Sequence, residues 1–406
     1  MRFLLLNQCF HPDVMATAQQ LTDLAVGLVE KGHDVTVITS DRGYDNPSQR
    51  FPKRETWKGI KIIRISALAL GKQSKWRRAV TFASFMVNCS LRLSLLRGFD
   101  AVVALTSPPL ISFLGSTFTR LKGGKFYFWV MDLNPDQALA AGWLKEGSVS
   151  AKFLQRLLRS SLIHAEKIIA LDQFMKDRIV DKGISAEKVE VLAPWAHDEN
   201  ARFDAPGREM FRQQHQLEQS FVVMYAGNHS PCHPLDTLVE AARRLSNRKD
   251  IVFAFVGGGS EQQRVRSFAT EHGLQNIRCL PYQPFEQLAA TLSAADLHTV
   301  VMGDAFVGIV HPSKIYNLLS IGSPFLYLGP AESHITRIEA RINGGGSAFV
   351  ARNGDVEAVV DHILKLSNSE PRAGKHYFPE LAKSFSRQTL LPQLMRILDG
   401  SSERRV

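Results

Sequence analysis

Hydrophobic residues along this chain arrive in short runs rich in Val, Ile and Phe, separated by longer stretches with helical spacing. That alternation is the pattern of βα units feeding a parallel sheet. In the first half it predicts strands at Arg2–Gln8, Asp34–Ser40, Lys61–Ser66, Ala101–Thr106, Lys125–Met131, Lys167–Leu171 and Val189–Ala193. A helix over about Ala16–Lys31 closes on Lys31-Gly32-His33, where glycine supplies a left-handed cap before the next strand.

From Pro194 to about Ser220 the pattern breaks into polar, proline-interrupted sequence, then restarts. New strands are expected at Phe221–Ala226, Ile251–Val256, Ile277–Leu280, Leu297–Met302, Pro324–Leu328 and Ser347–Ala351, and Tyr377–Leu398 is amphipathic with no strand after it. The expectation is two doubly wound α/β domains, 1–197 and 221–377, joined by a linker at 198–220. A C-terminal helix at about 378–400 is expected to pack back on the first domain. A length of 406 residues suits two such domains.

Composition adds constraints. Cys9, Cys89, Cys232 and Cys279 are scattered with no CxxC pair, so reduced thiols are expected, with neither a disulfide framework nor a metal site. The N-terminal apolar run meets Asn7 at once and reads as a strand, not a signal peptide. No uncharged apolar run approaches the ~20 residues of a membrane span. The formal charge of +10 lies in the first half. Between Glu55 and Asp100 there is no acid but nine bases, Lys58, Lys61, Arg64, Lys72, Lys75, Arg77, Arg78, Arg92 and Arg97. Such a surface favours an anionic partner.

In open α/β sheets ligands bind beyond the carboxyl ends of the strands. In the second domain the first such loop holds Gly227, Asn228 and His229; it reads as a ligand-approaching loop or simply a turn. The next, Gly257-Gly258-Gly259-Ser260, resembles a phosphate cradle without a complete fingerprint. The third runs from Gly308 through His311-Pro312-Ser313-Lys314 to Asn317 and Gly322. There a helix N-terminus, a hydroxyl and an ammonium suit a diphosphate, and a capped helix with a surface lysine is the plainer alternative. In the first domain Asp132 and Asp136 follow the Lys125–Met131 strand, either capping a helix or facing an acceptor hydroxyl.

Several segments together carry a resemblance: Phe10-His-Pro with Ala16-Thr17 and Lys31-Gly32-His33-Asp34, Met224-Tyr-Ala-Gly-Asn228 with Leu235-Asp236-Thr237-Leu238, and Pro312-Ser313-Lys314 with Gly322-x-Pro324. The chain resembles family-4 retaining glycosyltransferases of the GT-B fold, two Rossmann-like domains facing across a cleft. Val130-Met-Asp132-Leu-Asn-Pro135-Asp136 is similar to an element of the subgroup that builds lipid-linked surface polysaccharides.

The resemblance implies a UDP- or GDP-linked sugar as donor, a glycan or polyprenyl-diphosphate-linked acceptor, retained configuration, and no cofactor or metal. It implies donor contacts from Gly227, Asn228, His229, Gly258, Tyr282, Gly308, His311, Ser313 and Asn317, with Lys314 neutralising the leaving diphosphate. It also implies acceptor-side contacts from Ala16, Thr17 and Asp136, with Asp132 as base or orienting group. Ile309 and Asn317 stand where the family commonly has two glutamates, which keeps a non-catalytic scaffold and a nucleotide-sugar 2-epimerase open as alternatives.

Phe82, Phe85, Met86, Cys89, Leu93 and Leu96 follow helical spacing within the acid-free stretch. They form either a core-packed face or one lying in a membrane interface, with residues 58–97 meeting an anionic surface. A cytoplasmic protein, peripheral at the inner membrane face, is expected. Nucleic acid is not expected as a partner, because no recognised motif accompanies the bases.

Overall fold

Each predicted run forms a strand, and the central strands are covered on both faces, as parallel sheets require. The computed structural model describes residues 1–43, 48–68, 75–197, 200–342, 348–369 and 378–400. Lys72, Ser347, Tyr377 and the side chains of Lys75, Trp76, Arg77 and Arg78 lie outside the described residues. The chain divides into two units, Met1–Ala193 with Leu390–Val406, and Pro194–Thr389.

The first unit runs β1 (Arg2–Leu6), α1 (Ala16–Glu30), β2 (Asp34–Ser40), β3 (Arg54–Trp57), β4 (Ile60–Ile65), α2 (Lys75–Ser94), β5 (Ala101–Ala104), α3 (Ile111–Lys122), β6 (Lys125–Val130), α4 (Asp136–Ala140), α5 (Val149–His164), β7 (Lys167–Ala170), α6 (Gln173–Asp181) and β8 (Val189–Val191). Its sheet order is β3-β4-β2-β1-β5-β6-β7-β8. Only the β3–β4 pair is antiparallel. No apolar run announces β3; it is a short edge strand of polar and half-buried residues.

The second unit runs α7 (Ala205–Gln214), β9 (Phe221–Asn228), α8 (Asp236–Arg244), β10 (Ile251–Gly258), α9 (Ser260–Glu271), β11 (Ile277–Leu280), α10 (Leu288–Ser293), β12 (Leu297–Val301), α11 (Lys314–Ile321), β13 (Phe325–Leu328), α12 (His334–Glu339), β14 (Ala348–Ala351), α13 (Val356–Ser367) and α14 (Pro379–Ser384). The order β11-β10-β9-β12-β13-β14 reverses between β9 and β12. In the first unit the reversal falls between β1 and β5. These are the switch points where such sheets take ligands.

The stretch 198–220 differs from a free linker because it carries α7, which is bound into the second unit. Asp204 caps it, accepting from the Gly207 N–H at 3.0 Å. Arg208 and Arg212 then converge on Asp296, each at 2.5 Å. The Asp296 carboxylate also accepts the Val222 N–H at 2.8 Å, which ties α7 to the start of β9. At the other end, α15 (Arg387–Asp399) lies along α1. A Cβ at Gly27 would sit 3.2 Å from both Leu391 and Met395, so glycine sets how closely the two helices approach.

Helix α2 turns Phe85, Cys89 and Leu93 into the core and half-buries Phe82, Met86 and Leu96. That face is a packing face, which corrects its reading as the side lying in a membrane interface; the opposite side exposes Val87, Leu91 and Leu95. The acid-free stretch is also partly neutralised from outside. Lys61 pairs with Asp34 at 2.8 Å, and Arg64 pairs with Glu55 at 2.9 Å.

Removing one partner of a buried ion pair strands the other charge, at about 3–5 kcal/mol. Asp296→Ala, which strands two guanidinium groups, is therefore expected to lower the melting temperature by on the order of 10 °C in a thermal melt. A shift within 1–2 °C (roughly the effect of a neutral surface change) would mean that α7 is not held by this pair.

Candidate functional site

The β9–β10 register runs to the last residue of each strand, placing Gly227 opposite Gly257 and Asn228 opposite Gly258. The two chain ends approach more closely than any side chain permits. A Cβ on Gly257 would come 2.1 Å from the Gly227 carbonyl oxygen, and one on Gly259 would come 2.2 Å from that of His229. Both glycines also hold φ of +133°, a region that L side chains rarely adopt. The His229 N–H donates to the Gly258 carbonyl at 2.8 Å, locking the two loops together.

Under this glycine-lined floor lies Lys314, the first residue of α11. Its Nζ sits 3.4 Å from the centroid of the Tyr225 ring and would be 3.3 Å from a Cβ on Gly227. The Nζ is shielded from water and has no hydrogen-bond partner among the described residues. Burial alone pulls its pKa down to about 7. The Tyr225 face attracts the ammonium, and the Tyr225 hydroxyl donates to the Asn228 carbonyl at 2.8 Å. One aromatic residue thus seats the lysine and braces the loop above it.

His229 packs edge-on against Tyr225 with ring centroids 4.9 Å apart. Its nitrogens lie near the Gly227 and Gly258 carbonyls without a well-aligned hydrogen bond. Burial, and secondarily the Lys314 charge, lower its pKa to about 4, so the ring is neutral. His233 is treated similarly and falls to about 3, with its Nδ1 at 2.7 Å from the Val301 carbonyl. His229 and His233 are neutral, and Lys314 has no counter-ion among the described residues. Such a charge is costly in a low-dielectric setting and is relieved by an arriving anion.

Tyr282 covers the floor from one side. A Cβ on Gly258 would be 2.9 Å from its ring, and its hydroxyl donates to the Gly258 carbonyl at 3.3 Å. The ring is about half exposed, at 49%. Ser313 precedes α11 without making a capping bond, and Gly322 ends that helix in the left-handed conformation expected for it. The sequence thus locates Gly227, Asn228, His229, Gly258, Tyr282, Ser313 and Lys314 around one group of strand ends. It misses Tyr225; the signal was a polar-tipped aromatic inside an otherwise aliphatic strand.

Other expected donor contacts are engaged in the fold itself. The His311 Nε2 lies 2.7 Å from the Tyr316 hydroxyl, and its ring stacks on His334 at 3.7 Å. The Asn317 Oδ1 accepts the His197 N–H at 2.9 Å. Gly308 turns at φ +68°, after which Ile309 and Val310 are buried. This part of the wall is therefore apolar where a carboxylate was the family expectation.

In the first unit, Asn7 ties the switch point together. Its Oδ1 accepts the Ser107 N–H at 3.2 Å and its Nδ2 donates to the Cys9 carbonyl at 2.7 Å. Ala16 and Thr17 form the first turn of α1, and the buried Thr17 hydroxyl has no partner among the described residues. Asp132 follows β6, its N–H donating to the Thr106 hydroxyl at 3.3 Å. Burial raises its carboxyl to about 6. The Asp136 carboxylate pairs through Oδ1 with Lys182 at 2.5 Å, while its buried Oδ2 has no hydrogen-bond partner among the described residues.

Comparison with known proteins places these features in a family. Residues 16–195 match the glycosyl transferase 4-like domain, and residues 207–311 match glycosyl transferases group 1. WcaI of Escherichia coli K12, which carries the name of a colanic acid biosynthesis glycosyl transferase, is 27% identical over 79% of this chain and 82% of its own. Among solved structures, a sucrose-phosphate synthase from Thermosynechococcus elongatus superposes with a TM-score of 0.77 at 13% identity, covering 99% of both chains. HepE of Anabaena, solved with UDP-glucose, gives 0.72 at 14% identity over 98% of this chain and 100% of that one. At such identities the structures establish the fold, while the two domain matches, one in each half of the chain, establish the lineage. The chain belongs to the family-4 glycosyltransferases of the GT-B fold.

Proposed function

We propose that this glycosyltransferase takes a sugar from a nucleoside-diphosphate sugar held by the second unit and passes it, with retained configuration and without a metal, to a lipid-linked saccharide at the inner membrane face during surface polysaccharide synthesis. The observation that carries the reading is the Lys314 ammonium, buried without a counter-ion beside the glycine-lined strand ends. A diphosphate leaving group supplies the missing negative charge. Charge grows on that group as the sugar–phosphate bond breaks, so the stabilisation is largest in the transition state. With Lys314 and the first turn of α11 providing positive potential, no metal is required for this task.

Geometry supports further contacts in this reading. The backbone at Gly227 and Gly258 approaches the phosphates, and the exposed ring of Tyr282 offers a stacking face for the base. The name of WcaI supports a polysaccharide pathway, and the HepE complex supports a UDP-linked donor. Asp132, carrying a carboxyl near neutrality in its titration, orients or deprotonates the acceptor hydroxyl. The apolar wall at Ile309 favours a second reading, donor binding without turnover, which assay of transfer separates from the first.

Thermal shift against UDP, GDP, ADP and CDP and their common sugars is the direct test. One nucleotide family is expected to stabilise the protein, and Lys314→Ala to abolish most of that shift. An undiminished shift in the variant would remove the lysine from the diphosphate site. The empty protein should respond in the opposite sense. Lys314 holds its proton less tightly when folded (about 7) than when unfolded (10.5), so its charge costs stability at pH 7 and that cost fades as pH rises toward 10. Lys314→Met is therefore expected to melt higher than the empty wild type at pH 7, with the gap narrowing at pH 9–10.

Asp132 gives a second pH test. Its folded carboxyl keeps the proton up to about 6 against 3.8 unfolded, so wild-type stability relative to Asp132→Asn falls as pH climbs through that window. The variant should gain up to about 3 kcal/mol above pH 6 and nearly nothing below pH 4, while losing roughly 100-fold or more in transfer rate. Equal gaps at both pH values would mean that the carboxylate is not desolvated.

A further inference from the structure

Helices α2, α3 and α5 form one layer on the first sheet. Gly98, just past α2, lies against the end of α3, where a Cβ would come 2.5 Å from the Lys122 carbonyl. The Arg120 guanidinium, on α3, donates to the Ser160 carbonyl of α5 at 2.9 Å, and the Thr119 hydroxyl lies 3.0 Å from His164 Nε2. None of the three helices contains an aspartate or a glutamate. Their outer side carries Val87, Leu91, Leu95, Leu121, Phe153 and Ile163, each more than half exposed. Arg97, Lys122, Lys152, Arg156 and Arg159 are exposed on or beside these helices. Of the acids at the neighbouring strand starts, Asp100 accepts the Arg2 N–H and Glu166 pairs with Lys125.

We propose that the outer side of the α2–α3–α5 layer docks on an anionic lipid surface, its aliphatic and aromatic side chains entering the headgroup region while its arginines and lysines meet lipid phosphates. Single exposed apolar residues need no explanation, but aligned ones across an acid-free layer do. Val87 and Leu91 on α2 and Leu95 just past its end recur every four residues, on the side opposite the core-packed face. Aliphatic side chains between bases fit an interface of acyl chains and phosphates. A second copy fits poorly, because it would bring two surfaces of the same sign together. The inference rests on the membrane-side reading above and moves its contact from residues 58–97 as a whole to this three-helix surface.

The test uses the full chain and vesicles of phosphatidylcholine with and without about one third phosphatidylglycerol. Wild type is expected to float with the anionic vesicles at low salt and to be released by raised salt. The triple variant Leu91→Asp, Leu95→Asp, Leu121→Asp should reduce the bound fraction at least about tenfold. Its melting temperature and nucleotide-induced thermal shift should stay within error of wild type, showing that the fold is intact. Arg120→Gln with Lys122→Gln should weaken binding and flatten its salt dependence. Absence of wild-type binding overturns both this surface and the membrane-side reading. Binding that survives the triple variant and is lost in Lys58→Gln with Lys61→Gln overturns this surface alone. A wild-type dimer that becomes monomeric in the triple variant would assign the face to self-association and overturn the proposal.

Discussion

An ammonium group held in a dry place without a counter-ion is the constraint around which the second unit is arranged. Lys314 reaches its position because α11 begins at the strand ends. The Tyr225 ring offers it a partial negative charge there, the face of a π system. Glycines at 227, 257 and 259 are then a requirement, since any Cβ there would fill the space or collide with the facing backbone. The neighbouring imidazoles of His229 and His233 contribute no charge because burial strips their protons. In the proposed function an anion completes this set.

The same unit treats other charges in the opposite manner. At the far end of its strands, Asp296 receives two guanidinium groups and a backbone N–H, leaving that cluster electrostatically closed. Closed clusters hold the fold together, and open ones mark places where something is meant to arrive. In the first unit Asp136 is paired with Lys182 through Oδ1, whereas Asp132 has no ion pair among the described residues and burial raises its pKa. Near the strand ends of each unit lies an ionisable group without an ion pair among the described residues, Lys314 in one and Asp132 in the other. In the proposed function they serve the two partners of a single transfer.

Much of this was legible before any coordinates. The strands announce themselves because parallel sheets bury both faces, so apolar runs survive as a pattern in Phe3–Leu6 or Val222–Tyr225. The glycine loops and the Pro312-Ser313-Lys314 segment were visible as residue types suited to strand ends. What escaped was long-range pairing. Nothing local distinguishes Asp136, paired with Lys182, from Asp132, which has no ion pair among the described residues, because the partner is remote in sequence. The half-exposed alternation of β3 carries no apolar signal. Helix α2 has two apolar stripes, and periodicity alone cannot say which of them faces the sheet. The stretch 198–220 looked like a tether because its order comes from Asp296, far along the chain.

The return of α15 to the first unit has a consequence for how the chain is made. Leu394 and Leu398 are fully buried, and the close approach of α15 at Gly27 belongs to the first half of the molecule. During vectorial synthesis the ribosome therefore releases the last piece of the N-terminal core only after the whole second unit has emerged. The unit encoded later can finish its core first, and the one encoded earlier must wait for it. Lesions near the C-terminus thus fall on the N-terminal half of the molecule, the half that carries Asp132.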